Sequence, residues 1–380
     1  MRITSVTATV LANPKVSEKA SDSSQDDILV EIETDEGIVG IGEVDAAPRV
    51  IKALIDMPSS HDSSLGLKSI LVDQDPLQIE RLWHRMYEGT IAQGRRGIGV
   101  MALGAIDIAL WDIAGKYYGE PVWKLLGGSA RGGVSPYASL PVLQDPRNPE
   151  LAELKRMMGY AKRAGFRAVK VEELVNSNPR DHEFVRTARE ALGDERELMV
   201  DAYYCWPDFQ TAYRRCRELE EFNLYFIETP LPVDDLAGLA KLCGRLETRV
   251  ATGERFTTRY EFIDLMDRTG LDVVQPDIGR VGGLTEAKRV ADHARTRGVL
   301  VVPHCWRTGI GIATAVQFAA STANCPYFEY VPSELSRSLL RKELVKSEFP
   351  MRDGLIAPPE APGLGIEIDY SVVEKCKQAA

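Results

Sequence analysis

The chain has little cysteine and uses it without pattern. Its six cysteines, at 205, 216, 243, 305, 325 and 376, form no CxxC pair and no finger-like spacing. That excludes a disulfide framework and suits buried thiols in a reducing compartment, so a cytoplasmic location is expected. Positive charge is also short: 46 Lys and Arg stand against 56 Asp and Glu, a net charge of -10. A nucleic-acid partner needs a basic face, which this balance argues against. No run is read as reaching the roughly 20 apolar residues of a membrane span. The opening MRITSVTATVL alternates apolar and polar residues like a strand, unlike the apolar core of a signal peptide. Low-complexity tracts and repeats of identity are missing too.

What is present is ordinary for a globular chain, with 44% hydrophobic and 27% charged residues. At 380 residues about two domains are expected. The stretch from Lys170 to Glu329 carries one pattern repeatedly. Short runs rich in Val, Ile, Leu, Tyr or Phe each end on a polar residue: Lys170-Val171-Glu172, Asp201, Glu228, Glu254, Asp277, His304 and Glu329. About 25 to 30 residues separate the endings, enough for one βα unit. Strands are expected near 133–139, 167–172, 197–202, 224–228, 249–253, 272–275, 299–303 and 327–330, with amphipathic helices such as 148–164, 182–192, 208–221, 284–297 and 311–320 between them. This is an α/β chain built on a (β/α)8 TIM barrel, and polar strand ends in such a series line its C-terminal mouth.

Ahead of the barrel, residues 2–11 and the segment DILVEIETDEGIVGIGEV read as an antiparallel sheet turning at Asp35-Glu36-Gly37. A polar loop, Ser17 to Asp27, separates its first two strands. Helices are expected over 49–58 and 76–92, then a long apolar one over 97–119 whose Ala and Gly suggest close packing. The expected domains are an α+β cap over 1–126, the barrel over 127–334, and a Pro- and Gly-rich tail over 335–380 that returns to the cap.

Asp201, Glu228 and Glu254 end consecutive strands. Hard divalent cations take carboxylate oxygens, and three acids converging from adjacent strands leave other positions open for water and substrate. Any one of them alone is explained as well by a helix cap or a surface ion pair. Asp277, one strand before His304, could fix its tautomer and raise the basicity of its other nitrogen. Histidines 61, 84, 182 and 293 read as structural. Lys170 and Glu172 face the same side of one strand, either as an ordinary ion pair or as substrate-binding and proton-handling groups. Tyr203, Tyr204, Trp306 and Arg307 could line a substrate pocket or simply pack at its rim. Together these groups suit removal of a proton next to a carboxylate, with the enediolate stabilised electrostatically.

The sequence resembles the enolase superfamily, in its mandelate racemase-like subgroup of acid-sugar dehydratases and cycloisomerases. The likeness spans nearly the whole chain and rests on GIGE with Glu43, ALGAIDIALWDIAGKYYG, IETP, ATGE, VQPD followed by GGLTEAKRVADHA, VPHCW and PGLGIEID. It implies a modified (β/α)7β barrel whose α+β cap is completed by the tail. It also implies Mg2+, replaceable by Mn2+, on Asp201, Glu228 and Glu254, with Asp277–His304 as catalytic dyad and Glu329 facing the substrate carboxylate. The implied partner is a sugar mono- or diacid or its lactone, with a homo-oligomer expected and neither membrane nor nucleic acid involved. Two positions depart from the pattern: the usual Lys-x-Lys has Glu172 in its second place, and a common Asn is Tyr203. With Glu172 the only second acid/base group, dehydration is favoured, ring-opening cycloisomerisation comes next and racemisation third. Lys170 would orient the substrate carboxylate, while the Ser17–Asp27 loop and Glu43 to Arg49 would bear on specificity.

Overall fold

The computed structural model describes residues 1–15, 24–62, 64–128, 132–141, 151–172, 174 and 179–378. Most of the Ser17–Asp27 loop, and residues 148–150 of one expected helix, lie outside them. Three antiparallel strands open the chain: β1 (Ile3–Ala12), β2 (Asp26–Thr34) and β3 (Val39–Val44), paired in that order. Their alternation buries one face against helices, and Gly37, with φ 78°, closes the turn between β2 and β3 by donating to Thr34 O at 3.0 Å.

Eight parallel strands follow, each inside the segment expected for it. They are β4 (Pro136–Ser139), β5 (Ala168–Val171), β6 (Glu197–Asp201), β7 (Leu224–Glu228), β8 (Arg249–Thr252), β9 (Val273–Val274), β10 (Leu300–Val301) and β11 (Phe328–Tyr330). Hydrogen-bonded neighbours run β10-β9-β8-β7-β6-β5-β4-β11. Glu329 N donates to Pro303 O at 3.2 Å and draws the ring shut. Helices cross between the strands, including two not singled out from the sequence. Leu236–Cys243 is short, and Thr258–Thr269 carries a narrow buried stripe of Phe262, Leu265 and Met266 between threonines at its two ends.

The helix Ile98–Tyr118 corrects one expectation, because its 21 residues are long and apolar enough to cross a membrane. Its position shows why that composition is needed: it is buried between the cap sheet and the barrel, with 83% of its apolar window inside the protein. Cβ atoms at Gly40 or Gly42 would lie 2.1 Å from carbonyl oxygens of this helix, so glycine is what lets β3 approach. On the opposite side Gly104 meets Gly279 O, where a Cβ would come within 2.0 Å. That second contact seats the cap against the helix turn Ile278–Val281, directly after Asp277.

The tail makes contacts at both ends of the molecule. Val134 and Ile356 exchange backbone hydrogen bonds below β4. Beyond them Gln378 N donates to Val10 O at 2.9 Å and Tyr370 Oη to Glu31 at 2.6 Å, against the cap sheet.

Candidate active site

Period-two alternation builds the site. One rung of the barrel interior is packed with Tyr137, Ala168, Met199, Phe226, Ala251, Val273 and Val302. Two residues further along the same strands lie Ser139, Lys170, Asp201, Glu228, Gly253, Gln275 and His304, and Glu329 completes this rung from β11. The apolar rung is the floor on which the polar rung stands. On β8 the place falls to Gly253, where a Cβ would meet Phe262 of the surrounding helix layer at 2.8 Å, and Glu254 reaches the mouth just past it.

Lys170 lies at the centre of the rung, 1% exposed. Its Nζ stands 2.8 Å from Glu329 Oε1, 3.0 Å from Glu228 Oε2, 3.5 Å from Asp201 Oδ2 and 4.0 Å from Glu172 Oε1. Burial opposes its charge, but Glu228, Glu329 and Asp201 outweigh burial and raise its pKa well above that of a free lysine. In these surroundings it is an ammonium, suited to binding an anion. Burial and then Asp201 push Glu172 well above the usual carboxylate range. Glu228 is raised for the same two reasons.

The three acids expected to hold a cation are fixed by neighbours. Asp201 and Glu228 are register partners on β6 and β7. Asp201 Oδ1 accepts from Thr229 Oγ1 at 2.5 Å and from Tyr203 N at 2.8 Å. Thr229, Tyr203 and Tyr204 all have positive φ (45°, 42° and 61°), strained backbone concentrated beside this carboxylate. Gln275 Nε2 holds Glu228 Oε2 at 2.7 Å, and Tyr204 Oη donates to Glu254 Oε1 at 3.1 Å. Among the described residues no three His, Cys, Asp or Glu side chains already converge on one point. Asp201 and Glu228 close on Lys170, while Glu254 Oε2 lies 2.9 Å from His304 Nε2. The donors nevertheless fit a hard divalent cation. They are all carboxylate oxygens, and Glu228 Oε1 is buried with no hydrogen-bond partner, an orphan that a cation would satisfy.

His304 Nδ1 lies 2.7 Å from Asp277 Oδ2. Burial works against its protonated form, but Glu329, Glu254 and Asp277 prevail and its pKa rises to about 10. Arg307 and Arg280 hold Asp277 ionised, well below the usual carboxylate range despite burial. Glu254, with His304, Arg280 and Arg255 around it, is lowered in the same way.

Glu172, Asp201, Tyr203, Glu254, Arg255, Arg280, His304 and Trp306 line an open cavity of about 160 Å³ at this mouth. Five residues expected to meet substrate, Lys170, Glu329, Tyr204, Arg307 and Glu43, are not among its lining. Arg307 is 3% exposed and turned behind the dyad, and Glu43 is buried beneath it, accepting from Thr308 Oγ1 at 2.5 Å. The Arg307 charge is already committed to Asp277 and Asp45, while Glu43 Oε1 is buried without a hydrogen-bond partner. Ser139, Gln275 and Arg280 were missed. The first two share the rung of Lys170 and Glu228, so strand register alone could have found them; Arg280 follows Asp277 on a helix turn and carried no such signal.

A capped parallel barrel with three acids on successive strand ends, facing a buried His–Asp pair, defines an enzyme of the enolase type. The chain belongs to the mandelate racemase/muconate lactonizing enzyme family: residues 2–127 match its N-terminal domain and residues 152–372 the enolase C-terminal domain-like family. Arabinonate dehydratase of Saccharolobus solfataricus is 33% identical over 358 residues, covering 92% of this chain and 91% of that enzyme. D-galactarolactone cycloisomerase of Agrobacterium fabrum is 31% identical, covering 90% of this chain and 89% of its own. A racemase from Streptomyces coelicolor A3(2) with bound magnesium superposes with a TM-score of 0.86 at 28% identity, covering 99% of this chain and 100% of that one.

Proposed function

We propose that the chain is an acid-sugar dehydratase that uses Mg2+, with Mn2+ as a substitute ion. The observation that carries this reading is the His304–Asp277 pair, 2.7 Å apart, facing Lys170 across the strand-end acids. Asp201, Glu228 and Glu254 would hold the cation, which would supply electrophilic stabilisation of the negative charge that develops on the substrate carboxylate. Lys170 neutralises and orients the substrate carboxylate, and Glu329 borders it. His304 Nε2 takes the α-proton. The electron pair left behind expels the β-hydroxyl, which leaves as water with the proton that His304 returns on the same face. The resulting enol tautomerises to a 2-keto-3-deoxy acid. Tyr203, Tyr204 and Trp306 border the sugar chain, and Glu172 hydrogen-bonds a distal hydroxyl. In this reading residues 1–126 cap the barrel of 127–334 and the tail of 335–380 braces the cap. The enzyme works in the cytoplasm as a homo-oligomer on a small molecule, with no nucleic-acid or membrane partner.

A panel of sugar mono- and diacids incubated with the protein and Mg2+ tests the reading. Dehydration gives a semicarbazide-reactive keto acid lighter by one water. A cycloisomerase, the second reading, is supported by the likeness to the galactarolactone enzyme. It would open a lactone or anhydro ring by β-elimination with no change of mass. A racemase would exchange the α-proton with D2O and leave composition unchanged.

A further inference from the structure

Behind the His304–Asp277 pair, on the side away from the mouth, lies a second ionic layer. Arg307 grips both oxygens of Asp277, Nη2 at 2.6 Å from Oδ1 and Nε at 3.2 Å from Oδ2. Arg280 N donates to Oδ1 at 3.0 Å, and His304 Nδ1 takes the remaining direction on Oδ2. A carboxylate has about four acceptor directions, and here every one is used. The two-pronged guanidinium fixes the carboxylate plane in a way a single ammonium cannot. Asp277 consequently has one orientation, with Oδ2 aimed at the imidazole.

The guanidinium is itself held from outside the barrel. Asp45, just past β3 in the cap, lies 3.2 Å from Arg307 Nη2 and 3.2 Å from Arg280 Nη2. One cap carboxylate thus sits between the two arginines that flank Asp277. Two glycines keep the space clear for this arrangement. A Cβ at Gly311 would lie 2.6 Å from Glu43 Oε1 and 2.7 Å from both Cβ and Cδ of Arg307, and one at Gly279 would lie 3.0 Å from Arg307 Nη2. Neither glycine has positive φ, so the demand at both is for room and not for backbone freedom.

We propose that Asp45 and Arg307 are positioning residues: the cap carboxylate, acting through the Arg307 fork, holds Asp277 and with it the imidazole of His304 in the orientation proton transfer needs. The cap then completes the reaction centre from behind as well as covering it. The role rests on the reading of His304 as the base. Its effect belongs in the turnover step and not in substrate affinity, because neither residue lines the open cavity.

Three variants of the full-length protein test this, each perturbing the layer differently. Arg307→Lys keeps the charge and loses the fork, Asp45→Asn loosens the cap's hold, and Gly311→Ala crowds the Arg307 stem and the Glu43 carboxylate without altering any charge. A misplacement on the order of 1 Å costs about 100-fold in rate, so kcat should fall about 100-fold with KM changed by less than about threefold. Should Arg307→Lys fail to fold, the other two decide. A kcat within about threefold of wild type in both Asp45→Asn and Gly311→Ala overturns the proposal. A second readout needs no substrate. In protein carrying 15N-histidine, the ring signals of His304 are identified by their loss in His304→Asn. Displaced or broadened His304 signals in Asp45→Asn support positioning, and unchanged ones overturn it. If wild-type protein turns over no acid sugar, the functional reading fails, and the ring signals still judge the positioning role.

Discussion

Lys170 on β5 and Glu172 just past its end lie two residues apart, yet the lysine turns from its neighbour, with Nζ 4.0 Å from Glu172 and 2.8 Å from Glu329. The ammonium is the hub of the metal-free site and Glu172 is peripheral to it. Removing the hub strands several buried carboxylates. Lys170→Met should destabilise the metal-free protein by about 3–5 kcal/mol, the usual cost of leaving a buried charge unpaired. Urea unfolding in EDTA measures it, and a loss under about 1 kcal/mol would show that the acids simply take up protons.

Glu172→Gln should behave differently. A carboxyl that only hydrogen-bonds substrate is well mimicked by an amide, so α-proton exchange into D2O should persist within about tenfold of wild type. Complete loss of exchange in a folded variant would make Glu172 a proton carrier and revive the racemase reading.

His304→Asn should lower turnover by about 10²–10⁴-fold, the range for loss of a general base, while melting temperature and metal content stay near wild type. In the metal-free protein His304 titrates at about 10, so near neutrality it is an imidazolium and no base. The cause is uncompensated negative charge at Glu254 and Glu329. A cation on Glu254 offsets that charge, so the pKa should fall when Mg2+ is added. Titration of the His304 ring signals with and without Mg2+ checks the sign; an unchanged or higher value would place the cation elsewhere.

The barrel was legible because each strand is a short apolar run ending on a polar residue, and chain order is strand order in such a fold. Asp201, Glu228, Lys170 and His304 follow from that register. Arg307 did not, because position alone made it look like a pocket residue beside Trp306. Its partners are Asp277 and, far away in sequence and in another layer of the fold, Asp45. The helix Ile98–Tyr118 was legible as a closely packed helix from its Ala and Gly, and it packs so, although its length and composition would also suit a membrane span.

Metal binding should separate function from stability. Glu228 is buried, its Oε1 lacks a partner, and its pKa is raised by burial and Asp201. Glu228→Gln removes that charge, so the metal-free variant should melt no lower than metal-free wild type. Wild type should gain about 2.7 kcal/mol at a Mg2+ concentration 100 times its Kd, and the variant should gain almost nothing. Melting curves in EDTA and in Mg2+ provide the comparison. An equal gain in both proteins would remove Glu228 from the ligand set.

Asp107, in the middle of the helix Ile98–Tyr118, gives a pH test independent of the active site. Burial raises its pKa to about 7, although Thr285 donates to it from both Oγ1 and N. In the unfolded chain it ionises near 3.8, so between 3.8 and about 7 the folded protein holds the extra proton. Stability from this group is therefore greatest below that window, falls as pH rises through it, and is flat above about 7. The slope for one proton is at most about 1.4 kcal/mol per pH unit. Asp107→Asn should remove this component, whatever constant amount it costs by giving up one acceptor oxygen. Urea unfolding of both proteins between pH 5 and about 7.5 reads the difference. Parallel stability curves would mean that Asp107 is ionised in the fold, with its Thr285 hydrogen bonds outweighing burial.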